Sequence, residues 1–117
     1  MVLSDRQRLG RLAEQRAEAY LCSQGLVPVA RNVGGKVGEI DLILRDGDEL
    51  VFVEVRSRAR TDFGGAAASV GPAKQAKVRR AAQWYLLRRY GQSKWPPCRF
   101  DVVAFDGTTC RWIRAAF

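Results

Sequence analysis

GEIDLILRDGDELVFVEVRSR, residues 38–58, decides how this chain is read. Two apolar runs, 38–45 and 50–58, flank Asp46-Gly47-Asp48-Glu49, a hairpin pattern. Side chains alternate faces along a strand. Ile40, Leu42 and Leu44 share a face with Val51, Val53 and Val55, and that face reads as core. The opposite face carries Glu39, Asp41 and Ile43 on one strand and Phe52, Glu54 and Arg56 on the other. Closing the loop at Gly47-Asp48 or over Asp46 to Glu49 gives one register. It sets Ile43 opposite Phe52, Asp41 opposite Glu54 and Glu39 opposite Arg56. A three-residue loop would shift it. Opposed carboxylates, with Cβ atoms ~5 Å apart, repel each other. A divalent cation is a natural neutraliser, and Mg²⁺ is commonly held by a pair of carboxylates plus water and phosphate. The competing reading is a solvated strand face with ordinary surface charge. Glu39 and Arg56 are expected to form an ion pair.

Outward from the hairpin, residues 5–23 read as a helix, with Leu9, Leu12, Ala13, Ala17, Tyr20 and Leu21 at helical spacing. Ser4 is its N-cap and Gly25 lies just past its end. Glu14 and Glu18 share one face of it, and periodicity alone favours a solvated face paired with arginines. Residues 27–33 form a short strand, which Pro28 places at a sheet edge or strand start, followed by a flexible GGKVG loop. Residues 59–72 form a long Gly-rich connection of the kind that often carries function. A second helix spans 73–90, opened by Pro72 and closed by Gly91. Trp84 and Tyr85 on it are expected to pack in the core, whereas Trp95 lies in an open Pro-rich loop. Strands follow at 99–105 and from 110 on, joined at Asp106-Gly107. This order specifies an α/β or α+β domain around one mixed sheet, covering 1–117 as a single unit.

The chain has 117 residues, 47% of them hydrophobic, enough for a core without disulfides. Its three cysteines show no C-x-x-C spacing and it has no histidine, which argues against zinc and excludes histidine-based catalysis. Cys22, Cys98 and Cys110 read as reduced, mostly buried thiols of a cytoplasmic protein. No apolar run suits a membrane span or a signal peptide. The net charge of +8 points to a polyanion, nucleic acid first, because every charged residue from Lys74 to Lys94 is basic. Lys74, Lys77, Arg79 and Arg80 are the candidate phosphate contacts; a merely solvated cationic face is the alternative.

Asp41 with Glu54-Val55-Arg56 resembles the core motif of the P-D-(D/E)-X-K nucleases, a carboxylate on one strand and E-X-K on the next. More of the chain resembles the YraN family of small uncharacterised bacterial proteins, themselves similar to Holliday-junction resolvases. The matching stretches are Gly10-x-x-Ala13-Glu14-x-x-Ala17 with Tyr20-Leu21, Asn32, Gly38 to Ile43, Phe52 to Arg56, Phe63-Gly64, Lys74-Gln75 with Lys77, Arg99 to Val103, and Ala116-Phe117. The resemblance implies a restriction-endonuclease-like α/β domain, a mixed central sheet flanked by helices. It implies Mg²⁺ or Mn²⁺ held by Asp41 and Glu54, a further acidic ligand in Glu14, and Gln75 beside the metal. Glu18 does not match and reads as surface. The implied activity is metal-dependent endonucleolytic cleavage of DNA, in preference to RNA, with branched or repair-intermediate DNA as substrate and a homodimer as an allowed assembly. Arg56 stands where these nucleases keep lysine; arginine cannot serve as a base but can stabilise phosphate charge. Lys36 and Lys74 are the lysines that could compensate. The alternative is a nuclease-like module that binds nucleic acid without cutting it, and a third reading is a protein-interaction role.

Overall fold

Five strands form one sheet in chain order: β1 (Val27–Gly35), β2 (Gly38–Asp46), β3 (Glu49–Arg58), β4 (Cys98–Asp106) and β5 (Thr109–Ile113). The computed structural model describes residues 2–36, 38–58 and 67–117. The expectations for 59–66, including the Phe63-Gly64 match, lie outside the described residues. All neighbours pair antiparallel except β3 and β4, which run parallel. A parallel pair needs a long crossover. Helix α2 (Pro72–Tyr90), preceded by a 3₁₀ turn at Ala67–Ser69, lies in it.

Helix α1 (Asp5–Ser23) starts at a capping box in which Ser4 Oγ accepts from the Gln7 N–H and the Gln7 side chain accepts from the Ser4 N–H. Ala13, Ala17 and Leu21, four residues apart, form its buried stripe. They pack on Leu42, Leu44, Val51, Val53, Val55, Val103 and Phe105. Leu9 and Leu12 are instead exposed. On the other face, Val78, Ala81, Ala82 and Leu86 of α2 pack on Ile40, Ile43, Leu50 and Phe52. The sheet is therefore covered on both faces, and Ile43, Phe52 and Glu54 of the charge-bearing strand face are buried.

Several expectations need correction. Trp84 is 55% exposed, because it projects from the flank of α2 and not from the stripe that meets the sheet. Tyr85 is half-buried, edge-on to Phe52. Cys22 and Cys110 are exposed and Cys98 is half-buried, so these thiols are not a buried set. Strand β1 runs on through Gly34 and Gly35, where composition predicts a loop. After β5 the chain folds back: the Ala116 N–H donates to the Phe100 carbonyl (2.7 Å), and Phe117 stacks on Phe100.

Arg99 and Asp101 form a second polar centre on β4. Asp101 is fully buried and accepts from Arg99 Nε, Trp112 Nε1 and the Ala115 N–H at 2.9–3.2 Å. Arg99 Nη1 reaches Asp46 and Glu49 across the hairpin turn at 2.9 and 2.8 Å. This network pins β4, β5 and the hairpin together. Among the described residues, no helix is long and apolar enough to cross a membrane.

Candidate functional site at a fork in the sheet

The β2–β3 ladder follows the expected register from Asp46↔Glu49 through Ile43↔Phe52, but ends at Leu42↔Val53. Beyond that point β2 stays with β1 (Val33↔Ile40, Gly34↔Glu39), while β3 stays with β4 (Glu54↔Val102, Arg56↔Ala104). The sheet forks, and two carboxylates occupy the fork. Asp41 Oδ2 accepts from the Val55 N–H at 2.8 Å, and the Asp41 N–H points to Glu54 Oε1 at a long 3.4 Å. Side chains thus take up backbone groups that a continuing ladder would have paired.

The fork also breaks the strand's alternation. Leu42 packs toward α1, yet Ile40 packs toward α2 with Ile43. Asp41 thereby turns into a cleft of about 930 Å³ under the N-terminal half of α1, whose walls include Glu14, Asp41, Arg56 and Lys74. Asn32 helps to build it from the adjacent strand, with φ of +50°, a conformation Asn tolerates better than most residues. Its amide nitrogen, oriented toward the two carboxylates, donates to Glu14 Oε1 (3.1 Å) and Glu39 Oε1 (3.0 Å).

Glu39 therefore belongs with Asn32 and Glu14. It does not pair with Arg56, because β2 and β3 have separated before reaching that position. Arg56 turns to Glu54 instead, at 3.5 Å from Oε2, and Lys74 Nζ approaches the same oxygen at 3.6 Å from the first turn of α2. Neither is a hydrogen bond. Glu54 Oε2 is buried without one, and so is Arg56 Nε.

Burial raises the pKa of Glu54, Asp41 and Glu14. Burial first and the Asp41 charge second push Glu54 up to about 7, against the pull of Lys74 and Arg56. Asp41 is raised by burial and partly restrained by its bond from Val55. Glu14 is raised by burial and by Asp41.

The candidate residues thus divide. Asp41, Glu54, Arg56 and Lys74 converge on the fork, with Glu14 in the cleft wall. Gln75 is turned aside: its Nε2 donates to the Val70 carbonyl at 3.0 Å. Lys77, Arg79 and Arg80 are exposed along α2, and Arg79 lies over the Phe100 and Phe117 rings. Lys36 borders a different groove. Glu18 is mostly covered, its carboxylate held by Arg31. Asn32 is the member that residue types alone did not assign a role; its occurrence among carboxylates from two other elements is visible only in three dimensions.

The residues fit a divalent cation in one respect: a buried carboxylate oxygen without a hydrogen bond sits beside a second carboxylate. Among the described residues, no three acidic or sulfur side chains form a ligand group on their own, so Glu14 does not close with Asp41 and Glu54. A cation here would take the rest of its shell from water or substrate, as Mg²⁺ commonly does.

The fold and the fork define an α/β domain with two helices flanking a mixed five-stranded sheet and an acidic pair where its central hairpin opens. The sequence profile of the uncharacterised protein family UPF0102 matches residues 13–105, and this chain belongs to that family. A UPF0102 protein of Cupriavidus metallidurans is 55% identical over 115 residues, covering 97% of this chain and 84% of that protein. One from Bordetella parapertussis is 50% identical over 117 residues, and the match spans only 66% of that relative's length. The YraN-like family expected from the sequence is the same one.

Proposed function

We propose that the fork is the active site of a metal-dependent endonuclease acting on DNA, with branched or repair-intermediate DNA as its substrate. One observation carries the reading: Glu54 Oε2 is buried without a hydrogen bond behind Asp41, which lines a cleft edged by Arg56 and Lys74. An antiparallel hairpin leading through a helix into a parallel strand supports it, since that arrangement resembles the restriction-endonuclease-like fold. So does the match of Asp41 and Glu54-Val55-Arg56 to the nuclease motif.

Asp41 and Glu54 would hold Mg²⁺ or Mn²⁺. The bound ion would supply Lewis-acid activation of a phosphoryl oxygen and of the attacking water. Arg56, permanently charged, would bind the scissile phosphate and stabilise charge developing on it. Lys74, whose amine approaches Glu54 from α2, would stand in for the lysine that the motif lacks on β3. Glu14, positioned by Asn32, would orient water at the cleft wall. Lys77, Arg79 and Arg80 would hold flanking phosphates with little sequence readout.

The binding-module reading has its own support. Arg56 and Lys74 already offset the charge of Glu54 without a metal. Cleavage of a panel of branched DNAs in Mg²⁺ and Mn²⁺ separates the two. Cutting that disappears in Asp41→Ala and Glu54→Ala supports the enzyme; cutting that survives both variants removes the site. Salt-sensitive binding with no cutting by wild type favours the module.

A further inference from the structure

A second groove, of about 570 Å³, lies between the outer strand and α2, lined by Val33, Gly34, Lys36, Trp84, Tyr85 and Arg88 among others. Its floor is the glycine end of β1. Its exposed wall is the Trp84 indole. Among the described residues, the charged ones lining it, Lys36, Arg88 and Arg89, are all cations. An aromatic face set among cations suits a base with its flanking phosphates.

The groove is aligned with the fork. At 3.6 residues per turn, Lys74, Lys77, Trp84 and Arg88 fall within about a quarter-turn of one flank of α2. Lys74 and Trp84 are separated by about 15 Å of helix axis. Gly38 keeps this flank close to the sheet, because a Cβ there would stand 2.8 Å from the Lys77 carbonyl oxygen.

We infer that this groove binds single-stranded nucleic acid, one base stacking on Trp84 and the adjoining phosphates meeting Lys36, Arg88 and Arg89. The flank of α2 then forms a track from the fork to the stacking site. This rests on the nuclease reading only in taking nucleic acid as the partner. A second copy of the chain across the β1 edge is the competing occupant, but the uniformly cationic lining disfavours self-association.

The test is anisotropy of a fluorescein-labelled oligothymidylate in EDTA, so that no metal or cleavage is involved. Trp84→Ala should weaken binding roughly 5- to 150-fold, the range for loss of a stacked base. Trp84→Phe, which keeps an aromatic face, should retain most of the affinity. Arg88→Ala should reduce the salt dependence by about one counterion. Equal binding by Trp84→Ala and wild type overturns the proposal, as does absence of binding at low salt. So does a dimer in sedimentation that Trp84→Ala converts to monomer while oligonucleotide binding is unchanged. Cleavage by wild type with Trp84-independent binding would overturn the groove and leave the active-site reading standing; Trp84-dependent binding without cleavage would do the reverse.

Discussion

Asp41 Oδ2 accepts a hydrogen bond from the Val55 N–H at 2.8 Å, so a side chain of β2 satisfies β3 just past the point where their backbones stop pairing. The bond is structural and chemical at once. It satisfies a donor at the fork, and it leaves Asp41 beside Glu54 with its other oxygen available to the cleft. Removing and preserving it should separate the two roles. Asp41→Ala leaves the Val55 donor unpaired and should cost about 1–3 kcal/mol. Asp41→Asn keeps an acceptor and should cost less than 1 kcal/mol while losing the charge that would hold a cation. Chemical denaturation measures the first effect; calorimetric titration with Mn²⁺ measures the second, with heat expected for wild type and none for either variant.

Glu54 makes apo stability fall with pH. Its carboxyl is raised from 4.5 to about 7 in the folded chain. Ionisation is therefore harder in the folded state than in the unfolded one. The folded state binds the extra proton between these values, so this group's contribution to stability is fully present below 4.5 and is lost as pH climbs through about 7. The loss should be of order 1–3 kcal/mol, since a pKa unit is worth 1.36 kcal/mol and the site relaxes in part. Thermal melts in EDTA from acid to neutral pH should show wild type losing stability relative to Glu54→Gln. Parallel pH profiles would contradict the burial of this charge.

Lys74 and Arg56 should differ in what they contribute. Both stand 3.5–3.6 Å from Glu54 Oε2. Under the nuclease reading, Lys74→Ala should reduce cleavage at least tenfold by removing the only amine at Glu54 among the described residues. Arg56→Lys restores the motif's residue and should be tolerated or raise the rate. Single-turnover cleavage of the best substrate in the branched panel reads both. A harmless Lys74→Ala would remove Lys74 from the chemistry.

Gly38 should resist any side chain. Its φ is +144°, and a Cβ would meet the Lys77 backbone of α2 at 2.8 Å. Gly38→Ala should destabilise by more than 1 kcal/mol, from backbone strain and displacement of the helix together. Gly47 in the hairpin turn also has positive φ, at +60°, but faces open space. Gly47→Ala should therefore cost less, and equal losses in urea denaturation would contradict the close approach.

Asp101 should matter to folding and not to the fork. It holds Arg99, Trp112 and Ala115 while fully buried. Asp101→Ala should cost about 2–4 kcal/mol by leaving buried donors unpaired. The variant's midpoint in denaturant should drop, while Mn²⁺ binding measured well below its melting temperature should match wild type.

Much of this was legible in the chain. Periodicity and caps specify both helices to within a residue or two, since Ser4, Pro72 and Gly91 mark their ends chemically. The turn Asp46 to Glu49 specifies the hairpin register, because a slip would move every apolar residue to the wrong face. These are local or period-based effects, and a single sequence carries them. Three things were decided by tertiary structure alone. The strands part after Leu42↔Val53, because β1 and β4 each claim one arm of the hairpin. Glu39 accordingly leaves Arg56 for Asn32, and Lys74 enters from a helix distant in sequence to meet Glu54. Trp84 faces solvent because α2 turns a neighbouring stripe to the sheet. Alternation and spacing state which residues share a face; which neighbours compete for that face depends on the packing of elements far apart in the chain.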